Sequence, residues 1–307
     1  MSTQWQDIKP SDVVTKRESR KLRRQSDLWG SWLLVHCWGV IAGAMALYAF
    51  FPNALTLGIG IALVGGRQLG LAILMHEGSH GMLFESKRLN DRLTQWFTAW
   101  PMILNIYAYR VRHMAHHRFT RTEKDPENYL YTPFPVTRAS MARKFLRDLT
   151  GIVFVRTSAA IFSFIWGEKK GRSTRLIGFY GGPLLFHALM VAGFSAFGRI
   201  DLFLLLWLLP MATSYQLFLR IRNIAEHAAV DDLDDALQNS RTTLAGPIER
   251  MFVAPYWVNF HIEHHLLPYV PCYHLRALHK IMLERGFGDR MAIYGSYMDV
   301  LRKNAPA

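Results

Sequence analysis

Ten residues of this chain fall into four clusters at metal-ligand spacing. Eight of them are histidines in three boxes: His76-Glu77-Gly78-Ser79-His80, His113-Met114-Ala115-His116-His117 and His261-Ile262-Glu263-His264-His265. A looser fourth element is Asn223…Glu226-His227. With 13 histidines in 307 residues, a chance His-x-x-His-His should appear roughly once in forty such sequences, so two of them argue for a built site. On a helix, residues at i, i+3 and i+4 share a face, and each box then aims two or three imidazoles at one point. Neutral imidazole is a good ligand for zinc, copper, iron and nickel. The candidate ligands include nine histidines, whereas one catalytic zinc takes about three protein ligands plus water. Nine suit two ions of four to six coordination, and an imidazole-rich pair with open positions suits iron and oxygen chemistry better than hydrolysis.

The elements that must carry these boxes are hydrophobic. Half of the residues are apolar, and a bilayer-crossing helix needs about 20 predominantly apolar residues. Four stretches qualify, at 29–50, 54–75, 176–197 and 202–219. Phe51-Pro52-Asn53 and Gly198-Arg199-Ile200-Asp201 join them as two hairpins. The expected fold is all-α and multi-pass, with four transmembrane helices and a helical cytoplasmic cap that carries the boxes. Domain organisation follows: a basic cytoplasmic segment over 1–28, a membrane domain over 29–280 and a cytoplasmic tail over 281–307. No cleavable signal peptide is visible, because residues Met1 to Asp27 are too long and too charged ahead of the first apolar run.

Charge sets the sidedness. The formal net charge is +13, a surplus that could serve nucleic acid, anionic lipid or an acidic protein. Its distribution favours topology: six basic residues lie between Lys16 and Arg24, and four between Glu168 and Arg175. Both groups precede apolar runs and belong on the cytoplasmic side, while the hairpin tips carry almost no positive charge. No basic tract is interleaved with a nucleic-acid fold. Both termini and all three boxes are then cytoplasmic. If the apolar stretch Leu149–Trp166, interrupted by Arg156, crossed the membrane, boxes two and three would face opposite sides. It is therefore expected to lie in the membrane plane, and the aromatic-rich Gln95–Tyr109 stretch at the interface. Cys37 and Cys272 are the only cysteines, too few for a built-in iron–sulfur module, which needs about four thiolates.

The order of the boxes, with paired spans between the second and third, resembles the integral-membrane fatty acid desaturase family. The flanking runs Arg110 to Phe119, Arg222-Asn223-Ile224-Ala225-Glu226-His227 and His261 through Pro271 are similar to bacterial members. That resemblance implies two irons on the cytosolic face, held by His76, His80, His113, His116, His117, His227, His261, His264 and His265. It places Asn223 where the acyl-CoA branch holds a metal-bound water. It also implies O₂ as co-substrate, a lipid or acyl substrate drawn from the membrane and insertion of a double bond. Box one has three intervening residues rather than the four of the acyl-CoA branch, which moves it toward lipid-linked desaturases and related hydroxylases. The fused haem-binding domain of the front-end branch is absent, so a separate ferredoxin- or cytochrome-type protein is expected to deliver electrons. A bacterial inner membrane is the expected location rather than the endoplasmic reticulum.

Asp125, Glu226 and Glu263 are candidate acceptors for imidazole N–H groups, with Glu77 a similar case. His36 and His187, inside apolar spans, read best as neutral groups hydrogen-bonded across helices, and His274 and His279 as structural or surface groups. Arg67 and Gln68 would face the bundle or a headgroup. Tyr256, Trp257 and Asn259 fit a tunnel lining or ordinary packing equally well. Two other function classes compete. His76-Glu77-x-x-His80 is also a zinc-protease signature, but that reading leaves seven histidines without a role. A metal transporter would place ligands at mid-membrane. Within oxygen chemistry, hydroxylase and ketolase share the same boxes.

Overall fold

The computed structural model describes residues 8–166 and 173–306. Residues 1–7 of the basic N-terminal segment, residues 167–172 of the basic stretch ahead of the third apolar run, and Ala307 lie outside the described residues. The regular structure is helical. Its exception, among the described residues, is a two-residue parallel pair joining Thr242–Thr243 to Ile293–Tyr294.

Four helices are long and apolar enough to cross a membrane: Asp27–Phe50, Ala54–Ser79, Gly178–Ala196 and Ile200–His227. They match the four expected spans, with two differences in extent. The second helix does not stop at Met75 but continues through box one. The fourth does not stop at Leu219 but continues through Asn223 to His227. In both cases the polar ligand residues keep helical backbone bonds while their side chains turn inward, so hydropathy fades before the helix does. The Leu149–Trp166 stretch gives the 15-residue helix Ile152–Trp166, shorter than a crossing requires. The Gln95–Tyr109 stretch is broken. It holds a π-turn at Gln95–Ala99, a non-helical link in which Ile103 has φ 59°, and the start of the box-two helix Ile106–Phe119.

Local caps define these elements. Asn53 starts the second span by accepting hydrogen bonds from Leu55 N at 3.0 Å and Thr56 N at 3.1 Å, supplying acceptors to helix-start N–H groups. Spans two and four cross closely at Gly65, where a Cβ would come within 2.1 Å of Ser214 Oγ. Ser214 Oγ donates to Ile61 O at 2.8 Å. Small residues let apolar helices approach where lipid supplies no hydrophobic drive between them. Trp38 of span one stacks on Trp207 of span four at 5.6 Å. His187 joins spans three and four as a neutral imidazole: Nδ1 donates to Pro183 O at 2.9 Å and Nε2 accepts from Trp207 Nε1 at 3.3 Å. His36 meets Tyr256 OH at 3.1 Å. Buried Arg67 faces the bundle and donates to the carbonyls of Arg250 and Met251, while Gln68 donates to Trp207 O at 2.8 Å.

One ion pair fastens the polar cap to the fourth span. Asp148, fully buried at the end of helix Arg138–Leu149, accepts two hydrogen bonds from Arg220. Breaking a buried pair leaves an uncompensated charge, so Asp148→Asn is expected to cost about 3 kcal/mol of stability. Thermal unfolding in detergent measures it, and an unchanged midpoint would count against this fastening.

Candidate metal centre

Box one occupies the last turn of span two. Box two lies on Ile106–Phe119, His227 ends the fourth long helix, and box three forms the six-residue helix His261–Leu266. All nine candidate histidines converge, in two groups. His76, His80, His113, His117 and His264 form one, and His116, His227, His261 and His265 the other, with the ligand atoms of each group within 4.8 Å of one another. The split cuts through boxes two and three. In each, the i and i+4 histidines stay together while the middle one goes to the other group. Helical geometry explains this: i and i+4 project about 40° apart, whereas the adjacent pair diverges by about 100°. An adjacent His–His therefore points into two groups rather than one.

The ring nitrogens meet as ligands of shared ions would. His113 Nε2 lies 3.0 Å from both His80 Nε2 and His117 Nε2, and His117 Nε2 is 3.1 Å from His264 Nε2. In the other group, His261 Nε2 lies 2.9 Å from His227 Nε2 and 3.1 Å from His265 Nε2. A ring nitrogen carries one proton or one lone pair, so it cannot bond two such neighbours at once. Convergence on a common cation resolves that frustration. Buried His76 likewise has no hydrogen-bond partner on either ring nitrogen. Burial, then neighbouring charges, hold His113, His117, His261, His264 and His265 well below the usual histidine range. His80 is pushed down to about 3 by burial first and then by Arg110. All are therefore neutral near pH 7, as ligands must be.

Three distal nitrogens, all in the group of four, are held from behind, which fixes ring orientation. His116 Nδ1 donates to Asp125 Oδ1 at 2.9 Å, His227 Nδ1 to Asn239 O at 3.1 Å, and His265 Nδ1 meets Thr120 Oγ1 at 3.3 Å. Glu226 sits 3.5 Å from His261 Nδ1 and pairs with Arg222. Asn223 lies one turn before His227, its Oδ1 accepting from Arg222 Nη1 at 3.3 Å. Glu263 does not support a ligand imidazole. Its carboxylate turns away to His279 Nδ1 at 2.5 Å and Thr242 Oγ1 at 2.5 Å, making buried His279 a structural group. Glu77 accepts from Cys272 N at 2.9 Å and stands 3.5 Å from His76 Nδ1. It is committed to the start of helix Cys272–Glu284, not free as a hydrolytic base.

Several supporting residues gave no signal in the sequence. Arg110 reaches from the box-two helix to Ser79 O at 2.7 Å and Gly78 O at 3.1 Å. It also pairs with Asp91. Although burial works against it, bonding to Arg110, Lys87 and Asn90 lowers the Asp91 carboxyl to about 2. Buried Arg241 donates to Ala225 O at 3.0 Å and Ala228 O at 2.9 Å. Each arginine thus caps the C-terminal carbonyls of a ligand-bearing helix. Tyr109 stacks on His113 at 5.2 Å and Tyr131 packs on His227 at 4.8 Å. Tyr256 and Trp257, consecutive at φ 54° and 59°, pack on His36 and Trp29 respectively. Asn259 donates to Thr243 O at 2.9 Å.

Supporting groups of this kind typically govern 10–100-fold in metal affinity. Asp125→Asn is expected to weaken metal at the His116 group by about that factor. Chelator competition on the purified protein measures the change, and wild-type retention would reject the role assigned to Asp125.

Residues 52–296 match the fatty acid desaturase family. The chain is 24% identical to dihydrorhizobitoxine desaturase of Bradyrhizobium elkanii, over 96% of this chain and 86% of that protein. It is 24% identical to beta-carotene ketolase of Paracoccus sp. (strain PC1), over 81% of this chain and 88% of the ketolase. It is 23% identical to sn-1 oleoyl-lipid 12-desaturase of Anabaena variabilis, over 72% and 66% respectively.

Proposed function

Since the chain belongs to the fatty acid desaturase family, we propose that it is an O₂-dependent di-iron oxidoreductase that introduces a double bond into a fatty acyl or lipid chain. The observation that carries this reading is the paired set of five and four converging histidines. Two irons held there, with O₂, would supply the oxidising power to remove two hydrogens from an unactivated chain.

The residues present supply the rest. Nine converging imidazoles at the ends of four helices form the cradle. Asp125, Thr120 and the Asn239 carbonyl hold ring orientation. Asn223, one turn before His227, is the remaining candidate ligand and would act through a water at the second group. Arg110 and Arg241 anchor the helix ends, so ligand positions follow the bundle. Burial of the cluster keeps bulk water from the reacting carbon.

Six basic residues between Lys16 and Arg24, ahead of the first span, support a cytoplasmic face for the centre. The relatives named above support a bacterial inner membrane. The net charge of +13 suits docking of a separate acidic ferredoxin- or cytochrome-type donor. Turnover with such a donor should fall as salt rises, and salt-independent turnover would sink the docking idea.

The ketolase relative keeps a second reading in play: hydroxylation or ketone formation on a lipid or isoprenoid chain. Expression in a host lacking the activity, followed by lipid mass spectrometry, separates the two. Loss of two hydrogens indicates desaturation, and gain of one oxygen indicates hydroxylation. One zinc per chain with peptide cleavage would overturn both.

A further inference from the structure

A cavity of about 560 Å³ is bounded by helix Ile152–Trp166, the third and fourth spans and the link at Met102–Leu104. That volume is within the range of about 300–1,000 Å³ usual for small-molecule sites. Its inner wall reaches the centre. Leu104 packs on Met75, Ala99 and Ile106, and Met75 directly precedes His76. Tyr109, packed on the same group, stacks on His113.

The wall chemistry is unusual for a plain hydrocarbon. Thr157, Ser158, Tyr180, Tyr215 and Gln216 all line the cavity. Tyr215 is buried, Tyr180 half-buried and Thr157 and Ser158 exposed, and none of their hydroxyls has a hydrogen-bond partner among the described residues. The amide nitrogen of Gln216 donates to Met211 O at 3.0 Å, leaving its oxygen free. Polar groups facing an apolar chain go unsatisfied, and each then costs free energy. Among the described residues no Lys, Arg, Asp or Glu lines the cavity, and His187 is already neutral and doubly bonded. The wall therefore offers hydrogen bonds without compensating a charge.

We infer that this cavity binds a chain bearing an uncharged oxygen function (a hydroxyl, keto or ester oxygen flanked by hydrocarbon) and selects against both plain alkyl chains and charged headgroups there. Gln216 stands eleven residues before His227 on one continuous helix, or about 16 Å along its axis. The oxygen would therefore sit well away from the carbon that reacts. This inference rests on the reading of the chain as a lipid-modifying enzyme.

The test uses the full-length protein in nanodiscs and competition against a tritiated C18 chain. The competitors are octadecane, methyl stearate and methyl 12-hydroxystearate. An oxygen-bearing chain should bind about 10-fold more tightly than octadecane, as one or two added hydrogen bonds would give. Preference for methyl stearate places an ester oxygen in the cavity, and a further gain for the hydroxy ester places an in-chain hydroxyl. The triple variant Thr157→Val, Ser158→Ala, Gln216→Leu should bring all three chains to parity. Equal binding of octadecane, a preference that survives the triple variant, or no binding of any chain would each overturn the inference. Iron content and lipid products from the same preparation report on the enzymatic reading separately. Two irons with a modified lipid uphold that reading even where the cavity inference fails.

Discussion

His264→Ala should cut activity by on the order of 100-fold or more, since groups that merely support ligands already govern 10–100-fold, and should lower iron from two per chain to about one. His264 joins box three to the group otherwise made by boxes one and two, its Nε2 3.1 Å from His117 Nε2. Its neighbour His265 joins the other group, with Nε2 3.1 Å from His261 Nε2. His265→Ala should lose a similar amount of iron but from the other site. The two variants should therefore leave residual irons with different Mössbauer parameters. Identical residual spectra would reject the division of ligands, and full activity in either variant would reject the ligand assignment.

That division was not legible in the sequence, although the candidate ligands and their convergence were. Spacing at i, i+3 and i+4 announces convergence, and hydropathy places the boxes beside apolar helices. Which histidine joins which group depends on how four helix ends are rotated against one another, and rotation is a property of packing. The carboxylates show the same boundary. Asp125 follows box two in a tight turn whose backbone N–H groups it also accepts, from Arg121 and Glu127, and its role could be guessed from proximity. Glu263 sits between two ligands in sequence yet points away, because its neighbours on the helix already occupy the inward face. Its partner His279 lies sixteen residues on and carries no spacing signal. Arg110 and Arg241 read as ordinary positive charge until the helix ends they cap are known. Helix extents differ from the apolar runs for a related reason: the two ligand-bearing helices outlast them, so a hydropathy limit falls about one to two turns short.

Gly78→Ala should be nearly as damaging as loss of a ligand, although glycine touches no metal. Gly78 lies between His76 and His80 where span two meets helix Lys87–Thr94. A Cβ there would sit 2.1 Å from Thr94 Oγ1, 2.4 Å from Cγ2 and 2.7 Å from Cβ. Rotating the threonine side chain cannot relieve the last of these, so the helices must part. The Gly78 carbonyl is also held by Asn90 Nδ2 at 2.8 Å and by Arg110, so any shift carries both box-one ligands with it. A displacement of about 1 Å at a reacting centre can cost on the order of 100-fold in rate, while overpacking costs only about 1–3 kcal/mol of stability. Gly78→Ala should therefore stay folded, bind less iron and lose activity by about that factor. Combining it with Thr94→Gly removes all three clashing atoms and should restore most of the activity, a non-additive rescue that neither change alone predicts. If Gly78→Ala works normally, the contact relaxes without moving His76 and His80. If the double variant is no better than the single, the damage lies elsewhere than at Thr94.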